Sequence, residues 1–418
     1  MPEINDPRIK SQYEAIERAY AAQGIPTAIA FDPDTGEPIA IYPDNRLVVR
    51  EERLAEVRQR FTQGNLVDTD IETIPGLRIV GVEGTTATVA RAEIEPVVGP
   101  DVIDFDYIVS ITPGGKCPAS EPEVPSPCGE CAEPCPPVAR SGGAGVPIVV
   151  CDTGLLGDAN RHTWMRGVTG DLEPLDAIDA ATGLPRIKKY VGHGTMIAGI
   201  VRCTAPDAQV RVAGLLPTVL EGSNTINTIA VALTGMLAAG VRVISFSAGT
   251  QIPTGGPGVI LNQFAANMAA ELADAVIVAA AGNDHTDAEF WPAAFRQPWM
   301  ISVGALGGDN RNRAWFSDFN PPAGPAWIDV FAPGENLVNA FASGLYIYDE
   351  CPRTDSRQIF AGMARWSGTS FSTPLVAGLL AVRMTDAAET PQQARAALLA
   401  LAQTQAIPGV GPALYARR

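Results

Sequence analysis

The sequence contains no run of 18 or more apolar residues, which argues against a membrane-spanning helix. Its first residues, Met1 to Pro7, show no basic segment followed by an apolar stretch, so no secretion signal is visible. We therefore expect a cytoplasmic protein, or a secreted one if a signal had been removed. Basic residues are also scarce, since 30 Lys and Arg face 46 Asp and Glu for a net charge of −16. Such a surface repels nucleic acid and anionic lipid, so neither is an expected partner.

A chain of 418 residues is too long for one ordinary domain, and composition divides it into the parts 1–111, 112–145 and 146–418. The first part carries much of the acidic excess and mixes helical with strand-like patterns. It predicts a small α+β domain. The segments concerned are the helices Lys10–Ala22 and Glu51–Phe61 and the strands Thr27–Phe31, Arg46–Arg50, Leu77–Val82 and Thr86–Ala90.

Residues 112–145 are a predicted linker, because Pro, Gly, Ser and Glu dominate and cannot bury a core. Four cysteines fall within it, at Cys117, Cys128, Cys131 and Cys135. Their spacing leaves three interpretations open: a structural zinc site, disulfides if the protein is exported, or unpaired thiols. No cofactor is required by any other feature of the sequence.

From residue 146 onward, short and almost continuous apolar runs alternate with helical stretches. Runs of this kind are typical of parallel strands that are buried on both faces. The pattern predicts an α/β domain with a doubly wound, mostly parallel sheet. The runs are Val146–Cys151, Val210–Leu215, Val241–Phe246, Ala275–Ala280 and Trp299–Val303.

Four residues of this third part have the chemistry of an acyl-transfer site. Asp152 ends the first apolar run, where active sites of α/β proteins form. His193 lies between two glycines ahead of an apolar helix, and Asn283 follows another strand. Ser370 stands at the start of a helix, whose free N–H groups favour a developing negative charge. Taken singly, each residue also fits an ordinary turn, cap or core position.

Taken together, the four residues complete one mechanism. A serine hydroxyl is a poor nucleophile until a neighbouring imidazole accepts its proton. A buried carboxylate must orient that imidazole and stabilise its charged form. Asp152, His193 and Ser370 would fill these roles, while the Asn283 amide and the Ser370 N–H would hold the oxyanion.

The residues that surround these four resemble the signature blocks of the subtilisin-like serine proteases, the subtilases or peptidase S8 family. The blocks are Asp152-Thr-Gly, Gly192-His-Gly-Thr, Ala-Ala-Gly282-Asn and Gly368-Thr-Ser-Phe-Ser-Thr-Pro, in the order that is typical of that family. The likeness covers roughly residues 146–415. It implies a subtilisin-like fold, hydrolysis of peptide bonds in peptide or protein substrates, and a catalytic set of Asp152, His193, Ser370 and Asn283.

The resemblance also assigns substrate-binding residues. An extended peptide would pair with Ser247, Ala248 and Gly249, and the wall of the primary pocket would include Ala281 and Gly282. Two neighbouring residues leave the pocket preference open. Phe290 favours small or medium apolar side chains before the scissile bond, whereas Glu289 favours a basic one. The third interpretation is that both simply pack in a surface loop.

Many subtilases have an N-terminal prodomain of α+β type, so the resemblance makes residues 1–111 a candidate prodomain that docks on the peptidase. The linker would then be the zone in which maturation cuts the chain; a permanent interaction domain is the alternative. Calcium sites are frequent in the family, but no ligands can be assigned here. A peptide ligase or macrocyclase with the same site, and a latched peptide-binding regulator without catalysis, are the competing functions.

Overall fold

The structure is a computed structural model, and it describes residues 7–32, 35–111, 121–125, 141–253, 255–349 and 353–416. In the N-terminal region the helices are α1 (Pro7–Ala21), α2 (Leu54–Arg60) and α3 (Ala87–Val98), with a 3-10 turn at Glu51–Arg53. The strands of this region are β1 (Thr27–Phe31), β2 (Pro38–Pro43), β3 (Arg46–Arg50), β4 (Asn65–Asp68), β5 (Leu77–Glu83), β6 (Ile103–Asp104) and β7 (Ile108–Ser110).

The N-terminal region is built on an antiparallel sheet in the order β4-β5-β3-β6, and β1 and β2 form a separate antiparallel pair. Helix α3 corrects one sequence prediction, because Thr86–Ala90 is not a strand. The Thr86 hydroxyl instead accepts the backbone N–H of Val89 and caps the helix. Ala87, Ala90 and Ile94 then recur at helical spacing and are buried.

In the rest of the chain the helices are α4 (His193–Thr204), α5 (Ile226–Ala238), α6 (Gly258–Asn267), α7 (Ala269–Leu272), α8 (Thr369–Asp386) and α9 (Pro391–Thr404), with 3-10 turns at Ala159–Arg161, Thr163–Met165 and Thr218–Leu220. The strands are β8 (Pro147–Asp152), β9 (Leu155–Leu156), β10 (Thr169–Gly170), β11 (Leu172–Glu173), β12 (Arg186–Ile187), β13 (Gln209–Gly214), β14 (Ser223–Thr225), β15 (Val243–Phe246), β16 (Val276–Ala280), β17 (Met300–Leu306), β18 (Val330–Pro333), β19 (Leu337–Ile347) and β20 (Arg357–Trp366).

The large sheet has the order β10-β13-β8-β15-β16-β17-β18, and its described pairings are all parallel. The chain runs from β8 outward to β13 and then returns to the other side of β8 to form β15. The strand order therefore reverses beside β8. In sheets of this type the crevice at such a reversal is where ligands bind. Asp152 is the last residue of β8.

The alternating side chains of β8 separate two cores. Ile148 and Val150 pack with helices α4 and α8 on one face of the sheet. Val149 and Cys151 pack on the other face, in a core that includes α5 and continues into the apolar residues of the N-terminal sheet. Burial on both faces explains why the strands are continuous apolar runs. Among the described helices, none is both long enough and apolar enough to cross a membrane.

Candidate active site

Asp152 and His193 form a buried hydrogen-bonded pair. Oδ1 of Asp152 lies 2.8 Å from Nδ1 of His193, and the two side chains are 0% and 2% exposed. The same carboxylate oxygen accepts the N–H of Thr153 at 2.8 Å. The carboxylate at the end of β8 thus binds the imidazole at the first residue of α4, the arrangement that orients a histidine base.

The glycines beside His193 allow this approach. A side chain at Gly194 would meet the carbonyl oxygen of Gly154 at 2.6 Å, so only glycine lets the helix start lie against the turn after Asp152. The imidazole is further held by aromatic rings, with the Trp366 and Phe371 centroids 5.3 and 5.2 Å from its own. These contacts restrict the ring to a single orientation.

Ser370 is the second residue of α8, as the sequence pattern indicated, and its side chain lies in the start of that helix. Its Oγ donates to the carbonyl oxygen of Ser247 at 3.4 Å, and the Ser247 hydroxyl donates to the Ser370 carbonyl at 3.0 Å. Since Phe371 contacts the His193 ring, the serine and the histidine occupy adjoining helix starts. The described hydrogen bonds do not include a direct one between them.

The oxygen of the Asn283 side-chain amide is held by hydrogen bonds. This oxygen, Oδ1, accepts both the backbone N–H of Thr369 at 2.9 Å and the Thr369 hydroxyl at 3.0 Å. The side chain is 4% exposed and lies next to the start of α8. Because the oxygen is occupied by Thr369, the NH₂ group is directed to a different acceptor, as an oxyanion donor requires.

The edge formed by Ser247, Ala248 and Gly249 is already paired with the chain itself. Gly249 and Ser110 exchange backbone hydrogen bonds, each at 3.1 Å. On its other side β7 pairs antiparallel with β14, and Ile111 donates to the carbonyl of Gly222 at 3.1 Å. Residues 108–111 are therefore a strand between two peptidase segments. The sequence predicted docking of the N-terminal region but did not identify this segment.

The predicted pocket wall, Ala281 and Gly282, is buried behind that edge. Phe290 is 1% exposed, and its ring lies so close to Gly249 that a side chain there would meet it at 2.4 Å. Glu289 forms an ion pair with Arg296 at 2.6 Å. The aromatic ring therefore lies against the predicted pocket wall, and the carboxylate has an ion-pair partner.

A second buried carboxylate behind the pocket was missed from the sequence. Asp318 is fully buried, and its Oδ1 accepts the N–H groups of Asp284 and Thr286 at 2.9 and 3.0 Å. Burial, reinforced by the charge of Asp284, raises the pKa of Asp318 well above its ordinary value. Its two backbone bonds fix the loop that follows Asn283, and no motif in the sequence would have identified that role.

Cys151 is a buried free thiol whose Sγ lies 3.7 Å from Sδ of Met236. Burial raises the pKa of the Cys151 thiol, which suits a small core residue and not a reactive thiolate. Within the described parts of the chain, no cluster of three or more His, Cys, Asp or Glu residues is placed to hold a metal ion. The linker cysteines Cys117, Cys128, Cys131 and Cys135 lie outside the described residues.

The parallel sheet, the carboxylate–imidazole pair at its switch point and the serine at a helix start define the class of the subtilisin-like serine proteases. A model of the subtilase family, Peptidase_S8, matches residues 143–411, which is more than half of the chain. The chain therefore belongs to the subtilase family, as the resemblance of its blocks predicted.

Two curated relatives are named serine proteases. The intracellular serine protease of Paenibacillus polymyxa is 30% identical over 255 residues, which cover 57% of this chain and 67% of that protein. The thermophilic serine proteinase of Bacillus sp. (strain AK1) is 29% identical over 259 residues, covering 58% of this chain and 52% of that protein. The chain thus spans about half to two thirds of the length of these relatives.

Among solved structures, the chain is similar to fervidolysin from Fervidobacterium pennivorans, a keratinolytic enzyme related to subtilisin. The TM-score is 0.59 at 17% identity, with 90% of this chain and 60% of that chain covered. At this identity the likeness shows the fold alone. It agrees with the parallel sheet described above and confirms the predicted α/β fold class.

Proposed function

We propose that this protein is a serine endopeptidase that cleaves peptide bonds through Asp152, His193 and Ser370, and that its N-terminal region holds it latent. The observation that carries the first part is the buried 2.8 Å bond between Asp152 and His193 beside the start of α8. A hydroxyl, an imidazole and a carboxylate in that order are the elements of nucleophilic acyl transfer.

In the proposed first step, Ser370 Oγ turns from the Ser247 carbonyl toward Nε2 of His193 and gives up its proton. The oxygen bonds to the substrate carbonyl carbon, and the carbonyl oxygen becomes negative. The Asn283 NH₂ group and the Ser370 N–H at the start of α8 hold that charge. Asp152 accepts the Nδ1–H bond of the imidazolium and stabilises its positive charge.

His193 then returns the proton to the nitrogen of the leaving amine, the C–N bond breaks, and an acyl-enzyme remains on Ser370. Water then gives a proton to His193 and attacks the ester carbon. The bond from that carbon to Ser370 Oγ breaks, His193 returns the proton to Oγ, and the acid is released. An amine that attacks in place of water would give a ligase or macrocyclase, so product analysis decides between these outcomes.

The peptide substrate would add an antiparallel strand along Ser247, Ala248 and Gly249 through main-chain hydrogen bonds. Support comes from the chain's own Ser110, which forms both such bonds with Gly249. Side-chain selection would come from the pocket beside Ala281 and Gly282. Phe290 lies against that wall and Glu289 is paired with Arg296, which favours small or medium apolar side chains over basic ones.

Latency is supported by the position of β7. A peptide cannot pair with Gly249 while Ser110 occupies it. Ile108 is 2% exposed, because Tyr13 and Ile16 of α1 pack over it together with Ile41. The strand in the cleft is therefore covered by a further layer from the N-terminal region.

The N-terminal region also caps two peptidase helices. Asp106 Oδ1 accepts the N–H of Asn227 at 3.0 Å at the start of α5, and Asp104 Oδ2 accepts the N–H of Val259 at 3.1 Å at the start of α6. Carboxylates at helix starts are stabilising through the unpaired N–H groups and the helix dipole. These contacts support an intramolecular inhibitor that docks as a unit.

Further along, Glu123 exchanges backbone hydrogen bonds with Arg365 at 2.8 and 2.7 Å, so part of the predicted linker is bound to the peptidase.

Three further statements stay predictions: a maturation cut within residues 112–145, a cytoplasmic location, and catalysis without a cofactor. Zinc at the linker cysteines or a calcium ion would have a structural role only; metal analysis with and without reductant tests this.

Labelling with a fluorophosphonate probe tests the proposed chemistry, since the probe reacts with an activated serine. We expect labelling of the wild-type chain that is lost in Ser370→Ala and strongly reduced in His193→Ala. His162→Ala is the matched control, because this half-buried histidine lies outside the site. Absence of labelling even after limited proteolysis of the N-terminal region would favour a latched, non-catalytic peptide-binding protein.

A further inference from the structure

Glu173 is a buried carboxylate beside the catalytic pair that the mechanism above does not use. It is the second residue of the short strand β11, which pairs in parallel with β9 just after the Asp152 turn. The residue is 3% exposed. A charged side chain is seldom buried to this extent without a specific partner or role.

Its hydrogen bond reaches the backbone directly before His193. Oε2 of Glu173 accepts the N–H of Gly192 at 2.9 Å. On the other side of the histidine, the N–H of Gly194 donates to the Thr153 hydroxyl at 3.2 Å. Glu173 thus holds the residue before His193, and Thr153 holds the residue after it.

Thr153 follows Asp152 directly in the chain, and its N–H binds the same Asp152 oxygen that holds His193. The Asp152 carboxylate therefore connects its own turn with the helix start that carries the histidine. Glu173 packs against the same turn, because a side chain at Gly154 would meet its Cβ at 3.0 Å.

The charge of Glu173 bears on the same pair. Burial is the main cause that raises the pKa of Glu173 to about 8, opposed by the bond from Gly192 and assisted by the charge of the neighbouring Asp152 carboxylate. Oε1 of Glu173 and Oδ2 of Asp152 are both buried and have no hydrogen-bond partner among the described residues. At neutral pH the Glu173 carboxyl is therefore mostly protonated and adds little negative charge beside the Asp152–His193 pair.

We propose that Glu173 is a positioning residue that sets the geometry of the Asp152–His193 pair by holding the backbone N–H of Gly192, directly before the histidine, and by packing against Gly154 after the Asp152 turn. The proposal rests on the proposed function for its catalytic consequence, but the geometry it describes exists without turnover. Loss of the carboxyl group would free both segments to shift. A misplacement of about 1 Å in a catalytic group is enough to slow the chemical step about 100-fold.

The test uses the full-length chain with Ser370→Ala, so that no self-cleavage occurs and no activity is needed. The imidazole signals of His193 are followed by nitrogen-15 and proton NMR across pH 5–10. We expect Glu173→Ala to shift the Nδ1–H signal, and Glu173→Gln, which keeps the shape and an acceptor, to retain it. Titration of Glu173 near pH 8 should also change the His193 signals, and this change should be absent in the Gln variant.

In the active chain, Glu173→Ala should lower kcat about 10-fold to 100-fold with KM nearly unchanged, and Glu173→Gln should stay within about threefold of wild type. Unchanged His193 signals in both variants would overturn the positioning role even if the enzyme is active. If the Ala variant does not fold, Glu173→Leu takes its place, since it keeps the bulk of the side chain and lacks an acceptor, and an unchanged Nδ1–H signal in that variant overturns the role. Lack of any peptidase activity would instead count against the proposed function and leave the NMR result standing.

Discussion

Ser110 and Gly249 exchange both of their backbone hydrogen bonds, and through this pairing the N-terminal region supplies a strand to the edge where a substrate would bind. The pairing is main-chain only, so it does not depend on which side chains are present. What fixes the strand is the packing around it, above all at Ile108 under helix α1. The first prediction concerns that residue.

Ile108→Asp should release the strand from the cleft, because it buries a carboxylate in an apolar cluster without a partner. We expect the fluorophosphonate probe to label Ser370 at least about 10-fold faster, since a few kcal/mol shift the docking equilibrium by that factor or more. Val97→Asp is the control, because Val97 is 55% exposed in the same region. Equal labelling rates in the two variants would argue against a latch.

Replacing Ser370 by Ala, His193 by Ala or Asp152 by Asn should each lower kcat/KM about 10⁴-fold or more, the size known for subtilisin, and combining them should add little. The three groups act as one unit, so any single loss removes the activated nucleophile. Active-site titration and peptide hydrolysis measure this. Additive losses in the double variants would contradict a shared mechanism.

Asn283→Ala should lower kcat by about 10²–10³ with little change in KM, as is known for the corresponding donor of subtilisin. Thr369→Val should produce a smaller loss, because it removes only the hydroxyl that holds Oδ1 of Asn283 and leaves the Thr369 N–H bond in place. Steady-state kinetics on one peptide series checks the order. A rise in KM without a fall in kcat would assign Asn283 to substrate binding instead.

Phe290→Val should enlarge the primary pocket and raise the preference for a large over a small side chain before the scissile bond by about 10-fold or more. Valine is chosen because complete removal of a buried Phe typically costs about 3–5 kcal/mol. Glu289→Ala is the control and should leave the preference unchanged, since that carboxylate is paired with Arg296. Cleavage of a peptide library reports both results.

The stability of the protein should also report the titration of Glu173. Its pKa is about 8 in the folded protein against an ordinary 4.5, so between those values the folded state holds a proton that the unfolded chain has lost. This contribution to the free energy of unfolding therefore falls as pH rises from about 4.5 to about 8, by about 1.4 kcal/mol per unit of pKa difference, and is constant above.

Glu173→Gln should remove that slope. Thermal unfolding of the two chains, both with Ser370→Ala, should diverge across this pH range in favour of the Gln variant. Parallel curves would show that the carboxyl group is ionised in the folded state. The two chains have the same other titrating groups, so the contributions of those groups to the pH dependence cancel in the comparison.

Local patterns in the sequence predicted elements whose signal is strong and short-range. The strand Arg46–Arg50 has the predicted ends, and the continuous apolar run before Asp152 is β8. The prediction failed at Thr86–Ala90, where β-branched residues favoured a strand but the Thr86 cap and helical burial decided for α3. The strand propensity of this segment was outweighed by the burial of Ala87, Ala90 and Ile94 on one face of a helix.

Local patterns in the sequence did not predict contacts between distant segments. Glu173 lies in a strand of two residues, and the residues that it contacts around Asp152 and His193 are 19 or more positions away in the sequence. No nearby pattern therefore indicates that it lies beside Asp152. The same holds for Asp318 behind Gly282 and for Ser110 beside Gly249. Each depends on how the chain returns to the sheet.

By itself, the order of residues along this chain determined the family, the sheet type and the candidates for nucleophile, base and carboxylate, because short blocks with special backbone requirements carry that information. Tertiary structure alone decided which segment pairs with the predicted substrate edge, how the residues of the predicted pocket pack and which additional carboxyl group lies beside the Asp152–His193 pair. Those features arise where residues far apart in the chain meet, and the free energy of such contacts is a property of packing and burial that no local pattern contains.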